Sequence, residues 1–408
     1  MILAGDFISK NLKVRLPKEF GGQLVLANLE GPICADGLPR SNKVGVCLHT
    51  KREMFECSEC SNVRMCGGVK FAFSLANNHM MDFQEEGLRQ TEEFLVARNI
   101  PFAGAGADEA EARKPMILEE NGKRIAVFSC CERQFGMATA DSAGCAEKGV
   151  WLYSAVREIK KIGVADRVIV SCHAASEFCP WPSPDLRAFY HSLVDAGADI
   201  IHGHHAHVPQ GWEVYKGCPI FYGLGNFVVD PARWGGNHNQ LWSLVVCVQM
   251  NSDKVHFEVK ACSLMREGDE IGTALSELSE DQARYVALAN EGLKTDAMLE
   301  SVWQEASCRL YPRLYSQCLR AVPVANRKLS MRDRLRKLMF VALDLGAVFL
   351  GCERVSSRSR HYGKVLYNYL NCESHVEMMR TALGVHLGVL PDRRNERTKE
   401  MADAILKK

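Results

Sequence analysis

The chain has 408 residues, of which 47% are apolar and 24% charged. That is enough to bury a large core and to fill two domains, and no internal repeat or low-complexity tract breaks it up. The formal net charge of +1 hides an asymmetry, because residues 309–408 hold 20 Lys and Arg against 9 Asp and Glu, leaving the first 308 residues acidic. A basic C-terminal part suits an anionic partner such as a polymer, a membrane surface or nucleic acid, or else it is a solvated helical surface. Nucleic acid is the least supported of these, since no aromatic-interleaved basic motif is present.

In chain order, short apolar runs alternate with amphipathic stretches up to about residue 265, the pattern of a layered α/β domain. A strand expected over residues 2–4 is followed by Gly5-Asp6, and one over 24–27 by Asn28-Leu29-Glu30. A third, over 71–75, runs into Asn77-Asn78-His79. Asn121-Gly122 is a two-residue turn signal joining apolar runs 116–118 and 125–129 into a hairpin, and residues 251–253 separate two further segments that are alternating or apolar. A strand over 168–172 leads to His173 and Glu177. Leu186, Phe189, Tyr190, Leu193 and Val194 then lie on one face of a helix. The strand over 200–202 opens into Gly203-His204-His205-Ala206-His207-Val208-Pro209-Gln210.

Five polar clusters thus follow five buried strands, and in open α/β sheets that edge is where loops present ligands to a shared crevice. A single such His is more often a hydrogen-bonded core residue, but five coincidences reverse the odds. Carboxylate, amide oxygen and imidazole are donors for a divalent ion such as Zn, Mn or Fe, and two ions side by side would activate a bridging water for hydrolysis.

Beyond about residue 270 helical periodicity takes over, with a joint expected at residues 268–272. The division is therefore a catalytic-looking domain over 1–268 and a basic, mainly helical region over 273–408. Residues 338–350 are apolar but include Asp344 and fall short of the ~18 to 20 residues a membrane span requires. A buried helix is the expectation there. The preceding Arg332-Asp333-Arg334-Leu335-Arg336-Lys337 reads as a solvated face, with peripheral contact to an anionic membrane as the alternative. The 17 cysteines are an odd number, and several adjoin strand residues, which reads as reduced buried thiols and a cytoplasmic protein. No charged leader or long apolar segment precedes Gly5-Asp6, in keeping with that compartment. Cys57, Cys60 and Cys66, with Cys47 and His49 upstream, lack the second Cys pair of a structural zinc site, and ordinary thiols are the favoured reading.

The clusters, in their order, resemble the CapA family of capsule and poly-γ-glutamate biosynthesis proteins, whose fold is that of the calcineurin-like metallophosphoesterases. The resemblance rests on Ala4-Gly5-Asp6, Asn28-Leu29-Glu30-Gly31-Pro32, Ser74-Leu75-Ala76-Asn77-Asn78-His79, His173 with Glu177, the 203–210 string and Gly223-Leu224-Gly225-Asn226-Phe227. It covers residues 1–265 and implies a four-layer α/β/β/α sandwich followed by a helical C-terminal domain. It further implies that Asp6 and His207 hold one metal, that Asn78, His173 and His205 hold a second, and that Glu30 bridges them. His79 would be the general acid, and Glu177 would orient His173 or contact substrate. Asn77, Asn226 and His204 would line the substrate site. The implied substrate is an anionic polymer or a phosphorylated small molecule, and the implied partners are capsule or exopolymer biosynthesis enzymes. Two positions depart from the pattern. Ile8 stands where the superfamily usually has a His, leaving the first metal one ligand short, and the stretch His173-Ala174-Ala175-Ser176-Glu177 lacks the Gly that the family commonly has between that His and Glu.

Overall fold

The computed structural model describes residues 1–9, 12–43, 45–55, 68–234, 238–250, 254–315 and 357–406. Cys57, Cys60 and Cys66, the turn at 251–253, the basic stretch 332–337 and the apolar segment 338–350 lie outside the described residues.

Strands are numbered in chain order. The first sheet contains β1 (Ile2–Phe7), β2 (Lys13–Arg15), β3 (Leu24–Leu29), β4 (Lys70–Ser74) and β5 (Phe102–Ala103). A two-stranded ribbon pairs β6 (Ala105–Gly106) with β9 (Gly144–Cys145). The second sheet contains β7 (Met116–Glu120), β8 (Lys123–Cys131), β10 (Arg167–His173), β11 (Ile200–His204), β12 (Trp212–Tyr215) and β13 (Cys218–Phe221). The chain then returns to the first sheet with β14 (Asn226–Val228), β15 (Trp242–Gln249), β16 (His256–Glu267) and β17 (Glu270–Ser276). The orders are β2-β17-β16-β15-β1-β3-β4-β5, with β14 also on β1, and β12-β13-β11-β10-β8-β7. The centre of each sheet is parallel: β1, β3, β4 and β5 in the first, β8, β10, β11 and β13 in the second.

Side chains alternate across these strands. Leu3, Leu24 and Leu26 join the core shared with the second sheet, whereas Ile2, Ala4, Val25 and Ala27 pack on the opposite face with Leu88, Phe94 and Leu95 of helix Gln84–Ala97. Helices Val150–Lys161 and Pro184–Ala196 cover the second sheet through Leu152, Val156, Tyr190 and Leu193. The layers are therefore helix, sheet, sheet, helix. Both faces of the central strands are covered, which is why they read as continuous apolar runs.

Local signals set the punctuation. Asn121 and Gly122 both have positive φ, 51° and 73°, as the hairpin between β7 and β8 requires. Helix Pro184–Ala196 starts on Ser183, whose side chain accepts from the Leu186 amide, and ends at left-handed Gly197.

The stretch expected as a domain joint has a defined place in the sheet. Residues 268–272 fall in the hairpin from β16 to β17, and β17 pairs in parallel with β2, so this stretch lies inside the first sheet. Residues alternate along His256–Glu267 as in a partly exposed sheet, and this segment pairs antiparallel with β15, as expected of the segments on either side of 251–253. Helices Asp296–Leu314, Glu373–His386 and Glu396–Ile405 do follow. Their Val302, Trp303, Met378 and Met401 sit in the same core as Val170 and Trp181 rather than in one of their own. No helix among the described residues is long and apolar enough to cross a membrane.

Candidate metal centre

The strand ends of both sheets converge on one buried cluster. Asp6 lies on β1 with Asn28 of β3 on one side and Asn226 of β14 on the other. This close fit depends on Gly5, where a Cβ would fall 1.8 Å from the Gly225 carbonyl oxygen. From the second sheet, His173 ends β10 opposite His204 of β11 and Cys131 of β8. A Cβ on Gly203 would lie 2.0 Å from the Tyr222 oxygen. The chain then turns through His205 and His207, both in the left-handed region with φ of 86° and 55°. That conformation is uncommon for a residue with a Cβ, and here it brings both rings to one cluster. The His173 and His205 ring centroids are 4.5 Å apart.

Two three-donor groups share one carboxylate. Donor atoms of Asp6, Glu30 and His173 lie within 4.8 Å of one another, and so do those of Glu30, His205 and His207. All five side chains are buried. Glu30 Oε1 and His205 Nδ1 have no hydrogen-bond partner, an expensive state for a buried polar atom and one a metal ion would relieve. The Asn28 amide nitrogen is 2.9 Å from Asp6 Oδ1, 2.5 Å from Glu30 Oε2 and 3.2 Å from His173 Nδ1. The positive end of an amide dipole thus stands where three metal donors meet. Asn78 contributes Oδ1 at 3.1 Å from His173 Nε2. The residues present fit a divalent ion.

Electrostatics reflect the crowding. Burial, reinforced by Asp6, raises the Glu30 carboxyl to about 8. Burial opposes charge on His207 as well, but its contact with Asp6, Nδ1 to Oδ2 at 3.2 Å, prevails and takes the imidazole up to about 10. The same contact outweighs burial at Asp6 and lowers its carboxyl. Burial and then the neighbouring imidazoles, His205 first, hold His173 well below its usual value.

His79 is 9% exposed, and its Nδ1 lies 2.7 Å from Asp82 Oδ2. Lys43 pairs with Asp82, donates to the Asn78 carbonyl at 3.0 Å and sits 3.2 Å from His79 Nδ1. Burial, then Lys43, lowers the His79 pKa. Glu177 makes no hydrogen bond to His173, whose ring nitrogens face Asn28 and Asn78. Burial raises the Glu177 carboxyl, and the imidazoles of His205, His207, His375 and His79 outweigh it.

The three residues expected to line the substrate site are buried and make contacts within the protein. Asn77 donates to Asn28 Oδ1 and the Leu29 carbonyl, and its Oδ1 accepts from the His79 amide. Asn226 holds His207 Nδ1 at 3.0 Å and donates to the His207 and Gln240 carbonyls. The His204 side chain is 0% exposed, with Nε2 3.1 Å from Ser171 Oγ and Nδ1 3.5 Å from Asp6. Asn77 and Asn226 spend their polar atoms within the protein, whereas His204 Nδ1 has no hydrogen-bond partner.

Sequence reasoning missed Asp82, Lys43 and a second group around Glu132. Glu132 directly follows β8 at the ligand-bearing edge, a position that could have singled it out. Its Oε1 is 3.5 Å from His205 Nε2 and accepts from Ser374 Oγ at 2.7 Å, Gln134 Nε2 at 2.9 Å and Cys372 Sγ at 3.2 Å. Cys372 and Ser374 stand at the start of helix Glu373–His386, so the C-terminal region reaches the centre through this carboxylate.

Residues 15–231 match the family described as bacterial capsule synthesis protein PGA_cap. The chain is 33% identical over 229 residues to a probable polyglutamine synthesis accessory protein of Mycobacterium tuberculosis (strain ATCC 25618 / H37Rv), covering 52% of this chain and 57% of that protein. It is 36% identical over 163 residues to the capsule biosynthesis protein CapA of Bacillus anthracis, covering 38% and 39% of the two. The match to these curated relatives therefore spans from about two fifths to a little over half of their length. Among solved structures, a putative 5'-nucleotidase from Staphylococcus aureus is similar with a TM-score of 0.32 and 14% identity, over 55% of this chain and 42% of that one. A family match over more than half the residues, on the segment that supplies almost every donor of the cluster, places the chain in the bacterial capsule synthesis protein PGA_cap family.

Proposed function

We propose that the chain is a metal-dependent hydrolase of capsule or poly-γ-glutamate metabolism, acting on a phosphoester or a γ-glutamyl-type bond. The observation that carries this reading is the membership of Glu30 in two three-donor groups, the pattern expected of a bridging carboxylate. Asp6, Glu30, Asn78, His173, His205 and His207 would hold one or two divalent ions, Mn, Zn or Fe by donor type. A bound ion supplies Lewis acidity and an acidified water. The protein's own part is positional. Asn226 and Asp6 fix the His207 ring, and Glu132 fixes His205. Asp82 engages Nδ1 of His79, leaving Nε2 to give a proton to the departing oxygen or nitrogen as water adds to phosphorus or the acyl carbon. The described cysteines are all free thiols, which supports a reducing, cytoplasmic setting.

A second reading is a non-catalytic, polyanion-binding assembly factor of a polymer synthase complex. Ile8 favours it, being buried and apolar where a further ligand would stand.

The test is metal content by inductively coupled plasma mass spectrometry, followed by a screen of phosphoesters and γ-glutamyl peptides. Wild type is expected to carry about one to two equivalents, and His205→Ala with His207→Ala to lose them. Glu30→Gln is expected to abolish activity while the far-ultraviolet circular dichroism is unchanged. Wild type that holds no metal after reconstitution would promote the assembly-factor reading.

A further inference from the structure

A cavity of about 350 Å³ lies beside the metal centre, between the start of helix Glu373–His386 and the start of helix Pro184–Ala196. This is within the ~300 to 1,000 Å³ typical of small-ligand sites. It adjoins the centre through Glu132, the carboxylate that faces His205, and through Ser176, the neighbour of Glu177.

The charges of the wall limit what can enter. Arg133, Lys148 and Arg380 stand against Glu132, Asp185, Glu373 and Glu377, one negative charge in excess when Glu377 is ionised. An interior stretch of a polyanion brings only further carboxylates to such a wall, and like charges repel at close range. Most wall charges are also committed to each other. Lys148 pairs with Glu373 at 2.6 Å and Arg380 with Asp185 at 3.5 Å, while Glu132 is held by Ser374 and faces His205. Two groups stand apart. Among the described residues, neither the Arg133 guanidinium nor the Glu377 carboxyl has an ion-pair partner, and both line the cavity. Burial raises Glu377 to about 7, with Asp185 and Glu132 adding to it and the Ser183 hydroxyl and the more distant Arg380 offsetting only part.

We propose that this cavity binds a chain end carrying an ammonium and a carboxylate together, the ammonium on Glu377 and the carboxylate on Arg133. In a γ-linked acidic polymer only the amino-terminal residue offers both groups, because every interior nitrogen is an amide. The cavity therefore selects the end of the chain over its middle and holds that end one carboxylate away from the metal centre. Arginine suits the carboxylate half, since its planar fork can take both oxygens. The identity of the polymer rests on the reading given under Proposed function. The charge pattern itself asks only for the zwitterionic end group.

Isothermal titration of the full chain with γ-L-glutamyl-L-glutamate, in the presence of a chelator so that nothing is cleaved, tests the proposal. The free dipeptide is expected to bind one to one, and its N-acetyl derivative at least about tenfold more weakly, the size of one charge-assisted contact. Glu377→Gln should weaken the free dipeptide by a similar factor and leave the N-acetyl form unchanged, whereas Arg133→Ala should weaken both. Thermal melts of the two variants establish that each is folded. Equal binding of free and acetylated dipeptide, no binding of either, or unchanged binding in both folded variants would overturn the assignment. Metal content of the same preparations reports separately on the hydrolase reading, so failure of the cavity and failure of the metal centre are told apart.

Discussion

At the scale of single residues, the centre depends on positions where the backbone has no slack. A Cβ at Gly5 would meet the Gly225 oxygen at 1.8 Å, and that oxygen accepts from the Asp6 amide at 3.0 Å. Gly5→Ala must therefore push β1 away from β14 and carry Asp6 out of line with Asn226. We expect it to cost about 3 kcal/mol or more, in the range of severe overpacking, and to lower metal content. Denaturant titration with metal analysis checks this, and a variant with wild-type midpoint and metal would contradict it. Titration belongs to the same scale. Glu30 rises from 4.5 to about 8 and His207 from 6.5 to about 10. A group with a raised folded pKa contributes fully below its unfolded value, and the contribution is lost as pH climbs to the folded value. Both groups therefore make the metal-free fold less stable as pH rises from mildly acidic to alkaline. A metal ion has to displace both protons, so its binding strengthens along the same axis. The gain in Tm on adding Mn²⁺ is expected to grow steadily from about pH 5.5 to about pH 8.5. Thermal-shift measurements with and without chelator at half-unit steps would show it, and a pH-independent gain would refute it.

At the scale of elements, what the sequence announced was the buried parallel strand with a polar residue at its end. The runs at 2–4, 24–27, 71–75, 125–129, 168–172 and 200–202 all lie in observed strands except Leu75, one residue past the end of β4. They were legible because strands covered on both faces need no alternation and stand out as apolar blocks. The same rule, carried to Glu132 at the end of β8, would have added it to the site. β17 was not legible, since its half-exposed residues dilute the apolar signal. The internal hydrogen bonds of Asn77, Asn226 and His204 were not legible either. Whether a polar side chain meets a ligand or a neighbour depends on register, such as Asp6 opposite Asn28 and Asn226, and pairing between distant strands leaves no local mark. Cys372 and Ser374 are the extreme case, meeting Glu132 across some 240 residues of sequence.

At the scale of the whole molecule, that contact decides between two architectures. A self-contained catalytic domain with a helical appendage would place a boundary near residue 270 and allow each part to unfold alone. The described residues argue for one cooperative body. Trp303 of helix Asp296–Leu314 is 2% exposed, shares a core with Val170 and Trp181 of the central layers, and donates from Nε1 to Thr381 Oγ1 at 3.1 Å. Arg187 of helix Pro184–Ala196 binds Glu213 at 2.6 Å and the Leu293 carbonyl at 2.8 Å, tying β12 to the segment that enters the C-terminal helices. Ser374 closes the tie at Glu132, next to His205. Removing the Trp303 side chain should cost about 3–5 kcal/mol, as for large aromatic side chains in well-packed cores. Because the core is shared, the loss should be felt at the metal centre as well as in the helices. Calorimetry of wild type is expected to give a single transition, and Trp303→Ala to move helix melting and metal release downward together. Two separable transitions, or a Trp303→Ala protein that loses helix at a lower temperature while its metal release stays at the wild-type temperature, would restore the boundary at residue 270 and make the latch on Glu132 a contact between independent domains.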